Sequence, residues 1–90
     1  MMDIAVVGTG YVGLVSGVCF AERGHRVICV DIDQEKVAQI NAGQSPIHEE
    51  GLAALLQRNI GSGLTATTDL ADAVSRSTLT IIAVGTPFDG

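Results

Sequence analysis

The sequence predicts an α/β fold built on a doubly wound parallel sheet of about four strands. Three observations predict it: short apolar runs that end in Gly or Asp, helix-forming segments between them, and a glycine-rich turn directly after the first run. Asp3 to Val7 is the first run, ending at Gly8; residues 13–23 read as helix; Arg26 to Val30 is a second run, ending at Asp31. Parallel strands need a crossover of about a dozen residues or more, and the segment from Gly8 to His25 supplies one that is expected to be right-handed.

The later elements follow the same alternation. Gln34 to Asn41 sets Val37, Ala38 and Ile40 among Gln, Glu and Lys, with Asp33 as a plausible N-cap and Gly43 as a stop. The loop Gln44-Ser45-Pro46-Ile47-His48 precedes a short helix from about Gly51 to Arg58, in which Leu52, Leu55 and Leu56 share a face, and Gly61-Ser62-Gly63 turns the chain. Leu64 to Thr67 reads as a third strand, Asp69 to Ser75 as a helix capped by Thr68 or Asp69, and Thr80 to Val84 as a fourth strand. The expected strand order is 3-2-1-4.

Ninety residues, 47% hydrophobic and 17% charged, suffice for one modest core and argue against disorder. The net charge of −5 and the absence of any Lys/Arg cluster argue against nucleic acid or an anionic membrane as partner. Any phosphate must then be held by backbone amides. Cys19 and Cys29 lie in a helix and a strand without metal-ligand or CxxC spacing and are expected to be buried, reduced thiols. Met1-Met2-Asp3 lacks the basic region of a signal peptide and Val12 to Ala21 is too short for a membrane span, so a cytoplasmic location is expected.

Gly8-Thr9-Gly10-Tyr11-Val12-Gly13 matches G-x-G-x-x-G at a strand-to-helix junction, the context that makes this motif meaningful. Gly8 permits a tight turn, Gly10 leaves room for a pyrophosphate, and Gly13 lets the helix pack closely, while the amides of Tyr11 and Val12 face the anion. The positive end of the helix dipole allows an acidic protein to bind a diphosphate there. Taken alone, the glycines are explained equally well by tight packing. Asp31, 18 residues after Gly13 and at the end of the second strand, stands where an adenine ribose would lie. Its carboxylate can accept from the ribose hydroxyls and would repel a 2′-phosphate, with Ile32 where an arginine would be needed, which favours NAD over NADP; a capping or loop carboxylate is the plainer alternative. Lys36 is either a solvated helix residue or a contact to the adenosine end.

Val84-Gly85-Thr86-Pro87 follows the fourth strand at the carboxyl edge, where Thr86 can donate to a cofactor ribose or the Gly and Pro simply end the strand. His25 and His48 lack partners at catalytic or metal spacing and read as surface or turn residues. Glu49 and Glu50 suit a helix start. No catalytic or metal-binding residue is expected in this chain.

Taken together, these residues resemble the UDP-glucose/GDP-mannose dehydrogenase family, whose G-x-G-Y-V-G, V-D-x-D-x-x-K, I-N-x-G-x-S-P-I and V-G-T-P elements recur here in order. They stand as Gly8 to Gly13, Val30 to Asp33 with Lys36, Ile40 to Ile47, and Val84 to Pro87. One departure is visible: where the family often has an aromatic residue and then Glu-Pro-Gly-Leu, this chain reads His48-Glu49-Glu50-Gly51-Leu52. The resemblance implies a Rossmann-type domain truncated to about four strands, spanning residues 1–90, with NAD as cofactor. It implies Val12, Asp31, Lys36 and Thr86 as cofactor contacts, beside Gly8, Gly10, Tyr11 and Gly13 of the loop. It also implies an enzyme that oxidises the C6 hydroxymethyl of a nucleotide sugar to a carboxylate through a cysteine thioester. That cysteine, its lysine and the sugar-nucleotide domain follow the matched region in the family, so a nucleotide sugar is expected to bind only the full-length enzyme and this chain alone is expected to be inactive. A stand-alone nucleotide sensor and a flavoprotein fragment are the rival readings. A sheet stopping at the fourth strand exposes an edge that invites pairing, so a homo-oligomer is expected.

Overall fold

The structure is a computed structural model and describes residues 1–84 of the chain. Its elements run β1 (Asp3–Val7), α1 (Tyr11–Glu22), β2 (Arg26–Val30), α2 (Gln34–Asn41), α3 (Leu52–Asn59), β3 (Leu64–Thr67), α4 (Leu70–Ser75) and β4 (Leu79–Ile82). All strand pairs are parallel and the sheet order is β3-β2-β1-β4, as the alternation of runs and crossovers predicts. The Rossmann-type expectation holds.

Several boundaries differ from the sequence reading: α3 is shifted by one residue at each end, to Leu52–Asn59, α1 ends one residue early, at Glu22, and three further shifts have identifiable causes. α1 begins at Tyr11, two residues before the expected start, because Gly10 serves as its N-cap and the Leu14 N–H already bonds to the Gly10 carbonyl at 2.9 Å. α4 begins after Asp69, which is its cap and accepts from the Asp72 N–H at 3.0 Å. β4 is displaced toward the amino terminus because β1 sets its register: Ile4 pairs with Leu79 and Val7 with Ile82. A last bond from the Ala83 N–H to the Val7 carbonyl, 2.8 Å, closes the ladder, since β1 turns away at Gly8.

The two faces of the sheet are unequal. Ile4, Val6, Val27, Cys29 and Leu64 pack against Leu14 and Val18 of α1, Ile40 of α2 and Leu56 of α3. The opposite face holds a small cluster of Ala5, Val30 and Ala73 beneath α4. Gly17 permits the close approach of α1, because a Cβ there would stand 2.9 Å from the Cys29 sulfur. Of the two thiols expected to be buried, only Cys29 is; Cys19 lies on the solvent side of α1 and is exposed. Burial pushes the Cys29 thiol up to about 12.

The two edges of the sheet also differ. On β3 the Asn41 side chain imitates a neighbouring strand, donating from Nδ2 to the Ala66 carbonyl and accepting the Ala66 N–H at Oδ1, both at 2.9 Å. This satisfies part of an edge that would otherwise template pairing. β4 forms the other edge, where Leu79 and Ile82 are exposed. α3 is fastened to α1 by Glu22, which pairs with Arg58 at 2.9 Å and accepts from Asn59 at 3.0 Å. The hydrogen bond from Asn59, with the help of Arg58, holds the Glu22 carboxyl below its usual range.

Candidate cofactor-binding site

Two loops meet at the carboxyl edge of the sheet: the glycine loop between β1 and α1, and the turn between β2 and α2. Gly8 is held by its N–H bonding to the Val30 carbonyl at 2.7 Å and takes φ +105°, a conformation that side chains other than hydrogen disfavour. Gly13 permits close packing of α1, chiefly on the backbone of the loop. A Cβ there would lie 1.9 Å from the Gly8 carbonyl oxygen and 3.2 Å from the Ala83 methyl, so its lack of a side chain lets α1 pack on the loop itself.

Gly10 behaves unlike either. Its φ of −73° and ψ of −168° suit any residue, and a Cβ there would meet nothing within 4 Å. The chain itself makes no demand for glycine at position 10, so the open space above its backbone is available to a group from outside. Tyr11 and Val12 flank that space and are exposed. No side chain caps α1, and its first intrahelical bond is donated by Leu14, so the N–H groups of Tyr11, Val12 and Gly13 precede the ladder at the positive end of the helix. No acidic residue stands in that first turn. A diphosphate fits this donor set.

Asp31 lies at the end of β2, half-buried, beside a fully exposed Ile32. Its Oδ2 accepts from the Thr9 hydroxyl at 2.5 Å and the Thr9 N–H at 3.1 Å, and its Oδ1 accepts from the Asp33 N–H at 3.0 Å. Burial raises the Asp31 pKa, but the hydrogen bonds from Thr9 and Asp33 and the nearby Lys36 charge outweigh it and hold the carboxyl below its ordinary range. It is an anion at neutral pH. Lys36 sits half-buried on the first turn of α2, close enough to act on Asp31 through its charge.

The structure thus brings Gly8, Gly10, Tyr11, Val12, Gly13, Asp31 and Lys36 to one edge, while Thr86, with Gly85 and Pro87, lies outside the described residues. Thr9 is a residue the sequence reading passed over. It is buried at 1% exposure and joins the two loops through Asp31. Only its position directly beyond a buried strand signals that its hydroxyl needs a partner. His25 is a turn residue, accepting from the Met2 backbone N–H at Nδ1 and stacking edge-on with Phe20, and His48 is exposed. A cavity of about 430 Å³ lies at the opposite, amino-terminal edge of the sheet. Its two arginines, Arg26 and Arg76, are already paired with Asp3 and Asp72. Among the described residues, no cluster of metal-ligating side chains occurs and no helix is long and apolar enough to cross a membrane.

Comparison with known proteins agrees with this geometry. The family model described as the UDP-glucose/GDP-mannose dehydrogenase family, NAD binding domain, matches residues 2–90. The chain is 52% identical over 89 residues to UDP-glucose 6-dehydrogenase TuaD of Bacillus subtilis, covering 98% of this chain and 19% of that protein. It is 54% identical over 87 residues to the UDP-glucose 6-dehydrogenase of Rhizobium meliloti, covering 96% and 20%. The fold superimposes on a ternary complex of GDP-mannose dehydrogenase from Pseudomonas aeruginosa with a TM-score of 0.92 and 48% identity, over 96% of this chain and 20% of that one. The chain therefore spans about a fifth of the length of the relatives it matches. Matched over residues 2–90 by that family model and alike in fold to its solved members, the chain belongs to the UDP-glucose/GDP-mannose dehydrogenase family and corresponds to its NAD-binding domain.

Proposed function

We propose that this chain is the part of a nucleotide-sugar dehydrogenase that holds the ADP half of NAD, in an enzyme that oxidises the C6 hydroxymethyl of UDP-glucose or GDP-mannose to the uronate in the cytoplasm. The observation that carries this reading is Gly10, a glycine that neither backbone strain nor packing explains and that borders the uncapped start of α1. The diphosphate would rest on the amides of Tyr11 and Val12 above Gly10, within a loop shaped by Gly8 and Gly13. Asp31 would accept from the adenine ribose, Lys36 would face the adenosine end, and Thr86 would donate to a ribose hydroxyl. When bound, NAD supplies the hydride acceptor. The residues of this chain bind and orient it, and the ionised Asp31 opposes a 2′-phosphate.

The relatives' names divide between UDP-glucose and GDP-mannose at nearly equal identity to this chain, 52% and 51%. Which nucleotide sugar partners the full-length enzyme is therefore set outside these residues. The 90 residues alone lack the family's catalytic cysteine and lysine and should produce no NADH from either sugar nucleotide. A homo-oligomer belongs to the same proposal, and the apolar side chains of Leu79 and Ile82, exposed on β4, speak in its favour.

Calorimetric titration of this chain with NAD, repeated after Asp31→Ala, tests the reading. Saturable binding that weakens by about tenfold or more on substitution is the expected result, the size of losing a hydrogen bond to a charged acceptor. Absence of binding, or binding indifferent to Asp31→Ala, would overturn it.

A further inference from the structure

Thr9 stands at an x position of the G-x-G-x-x-G pattern, yet its side chain is the buried one there while Gly10, Tyr11 and Val12 face outward. Both of its donors go to one oxygen: hydroxyl and N–H converge on Oδ2 of Asp31 at 2.5 and 3.1 Å. The other oxygen is engaged by the Asp33 N–H at 3.0 Å. A carboxylate offers about four lone-pair sites. Three are taken by the chain, and the remaining capacity lies on Oδ1.

Two consequences follow for a ligand. A carboxylate at an exposed strand end ordinarily samples several rotamers, and one already fixed spares that ordering at the moment of binding. A free aspartate could also swing aside from a bulky anion, whereas one fastened to the loop cannot, so its repulsion of a 2′-phosphate is retained in full. The fastening also joins the end of β2 to the loop after β1, so that a diphosphate seat and a ribose acceptor keep a fixed separation.

We propose that Thr9 is a positioning residue for the cofactor: its hydroxyl holds Asp31 in the orientation that meets the adenine ribose, and so sets both the affinity for NAD and the preference for NAD over NADP. This rests on the reading of Asp31 as the ribose acceptor. Thr9 acts through Asp31 and makes no contact with the cofactor itself.

The test compares Thr9→Val, which keeps the shape and removes the donor, with Thr9→Ser, which keeps the donor, in this chain. NAD and NADP affinities are measured by calorimetry and the Asp31 carboxyl is titrated by NMR. Thr9→Val should weaken NAD about tenfold, narrow the NAD-to-NADP ratio and move the Asp31 titration upward, and Thr9→Ser should restore all three. Should Thr9→Val fail to fold, Thr9→Ala reports the same quantities. A folded Thr9→Val or Thr9→Ala chain with unchanged NAD affinity, ratio and Asp31 titration overturns the inference. The two readings separate through Asp31→Ala. If that variant loses NAD while the hydroxyl-deleted chain does not, only the role of Thr9 falls; if it binds NAD as the unsubstituted chain does, the ribose reading falls and takes the role of Thr9 with it.

Discussion

The amino termini of α1 and α2 both stand at the carboxyl edge of the sheet, each one short turn beyond a strand, and they are finished in opposite ways. α2 is closed by its own sequence, since Oδ1 of Asp33 accepts from the Glu35 N–H at 3.0 Å and the Lys36 N–H at 3.3 Å. α1 has Gly10 at the same position and no side-chain cap. Capping residues typically contribute about 1 kcal/mol, so the chain forgoes that stabilisation at one helix and takes it at the next. The helix that forgoes it is the longer one, at 12 residues against 8, and is packed into the main core, where tertiary contacts hold it without a cap. The open terminus lies where packing already secures the helix, and its donors remain for a ligand.

The glycines of the open terminus offer the widest break in this comparison. Gly13→Ala would drive a methyl into the Gly8 carbonyl, a backbone atom that cannot step aside. It should cost about 3 kcal/mol or more and lower the melting temperature by upward of roughly 10 °C, as read by denaturant and thermal unfolding. Gly10→Ala should do the reverse. The space is open and the dihedrals are ordinary, so stability should stay within about 0.5 kcal/mol, because a poorer N-cap is offset by a less flexible unfolded chain. NAD affinity should nevertheless fall about tenfold or more, as the methyl occupies the approach of the diphosphate. Equal destabilisation by the two substitutions would mean that the motif is a packing device only.

At the closed terminus the expected effect is smaller and of the other kind. Asp33→Ala removes the cap of α2 and should cost about 1 kcal/mol in denaturant unfolding. NAD affinity should change by less than about twofold, because Asp33 reaches Asp31 through its backbone N–H, which alanine retains. A larger loss of affinity would show that the two termini are coupled through the α2 turn.

Much of this arrangement is legible in the sequence because it rests on local signals. Apolar runs bounded by Gly or Asp locate β1 and β2, the length of the crossovers makes the strands parallel, and the strand order follows from the Rossmann topology that the glycine loop signals. The positions that sequence reasoning misplaced depend on distant partners. β4 takes its register from β1, 75 residues away between Ile4 and Leu79. Cys19 is exposed because α1 presents a different face to the sheet, and α1 is apolar enough around its whole circumference that periodicity does not single out the buried side. The Thr9 to Asp31 bond joins side chains 22 residues apart, and the Asn41 to Ala66 pair spans 25; no spacing rule announces either. In the site itself, the glycines and Asp31 are readable from motif and strand position, and the residue that fixes Asp31 is not.

The smallest effect concerns acid. The Asp31 pKa is depressed in the folded chain, so the stabilisation from ionising it is fully present above the unfolded value of about 3.9 and is lost as pH falls through the lower folded value. Glu22 shifts in the same direction, so a fall in stability below about pH 5 does not by itself identify Asp31. Asp31→Asn isolates the contribution, since it keeps an acceptor for Thr9 and removes the charge. Plotted against pH, the unfolding midpoint of the unsubstituted chain should drop more steeply between about pH 5 and 2 than that of the Asn variant. Above pH 6 the two curves should run parallel, because Asp31 is ionised in both the folded and the unfolded chain. If the two curves stay parallel through the acid range, the bonds from Thr9 do not favour the charged form. The contrast between a terminus tied together through Asp31 and one closed by an ordinary cap would then rest on geometry alone.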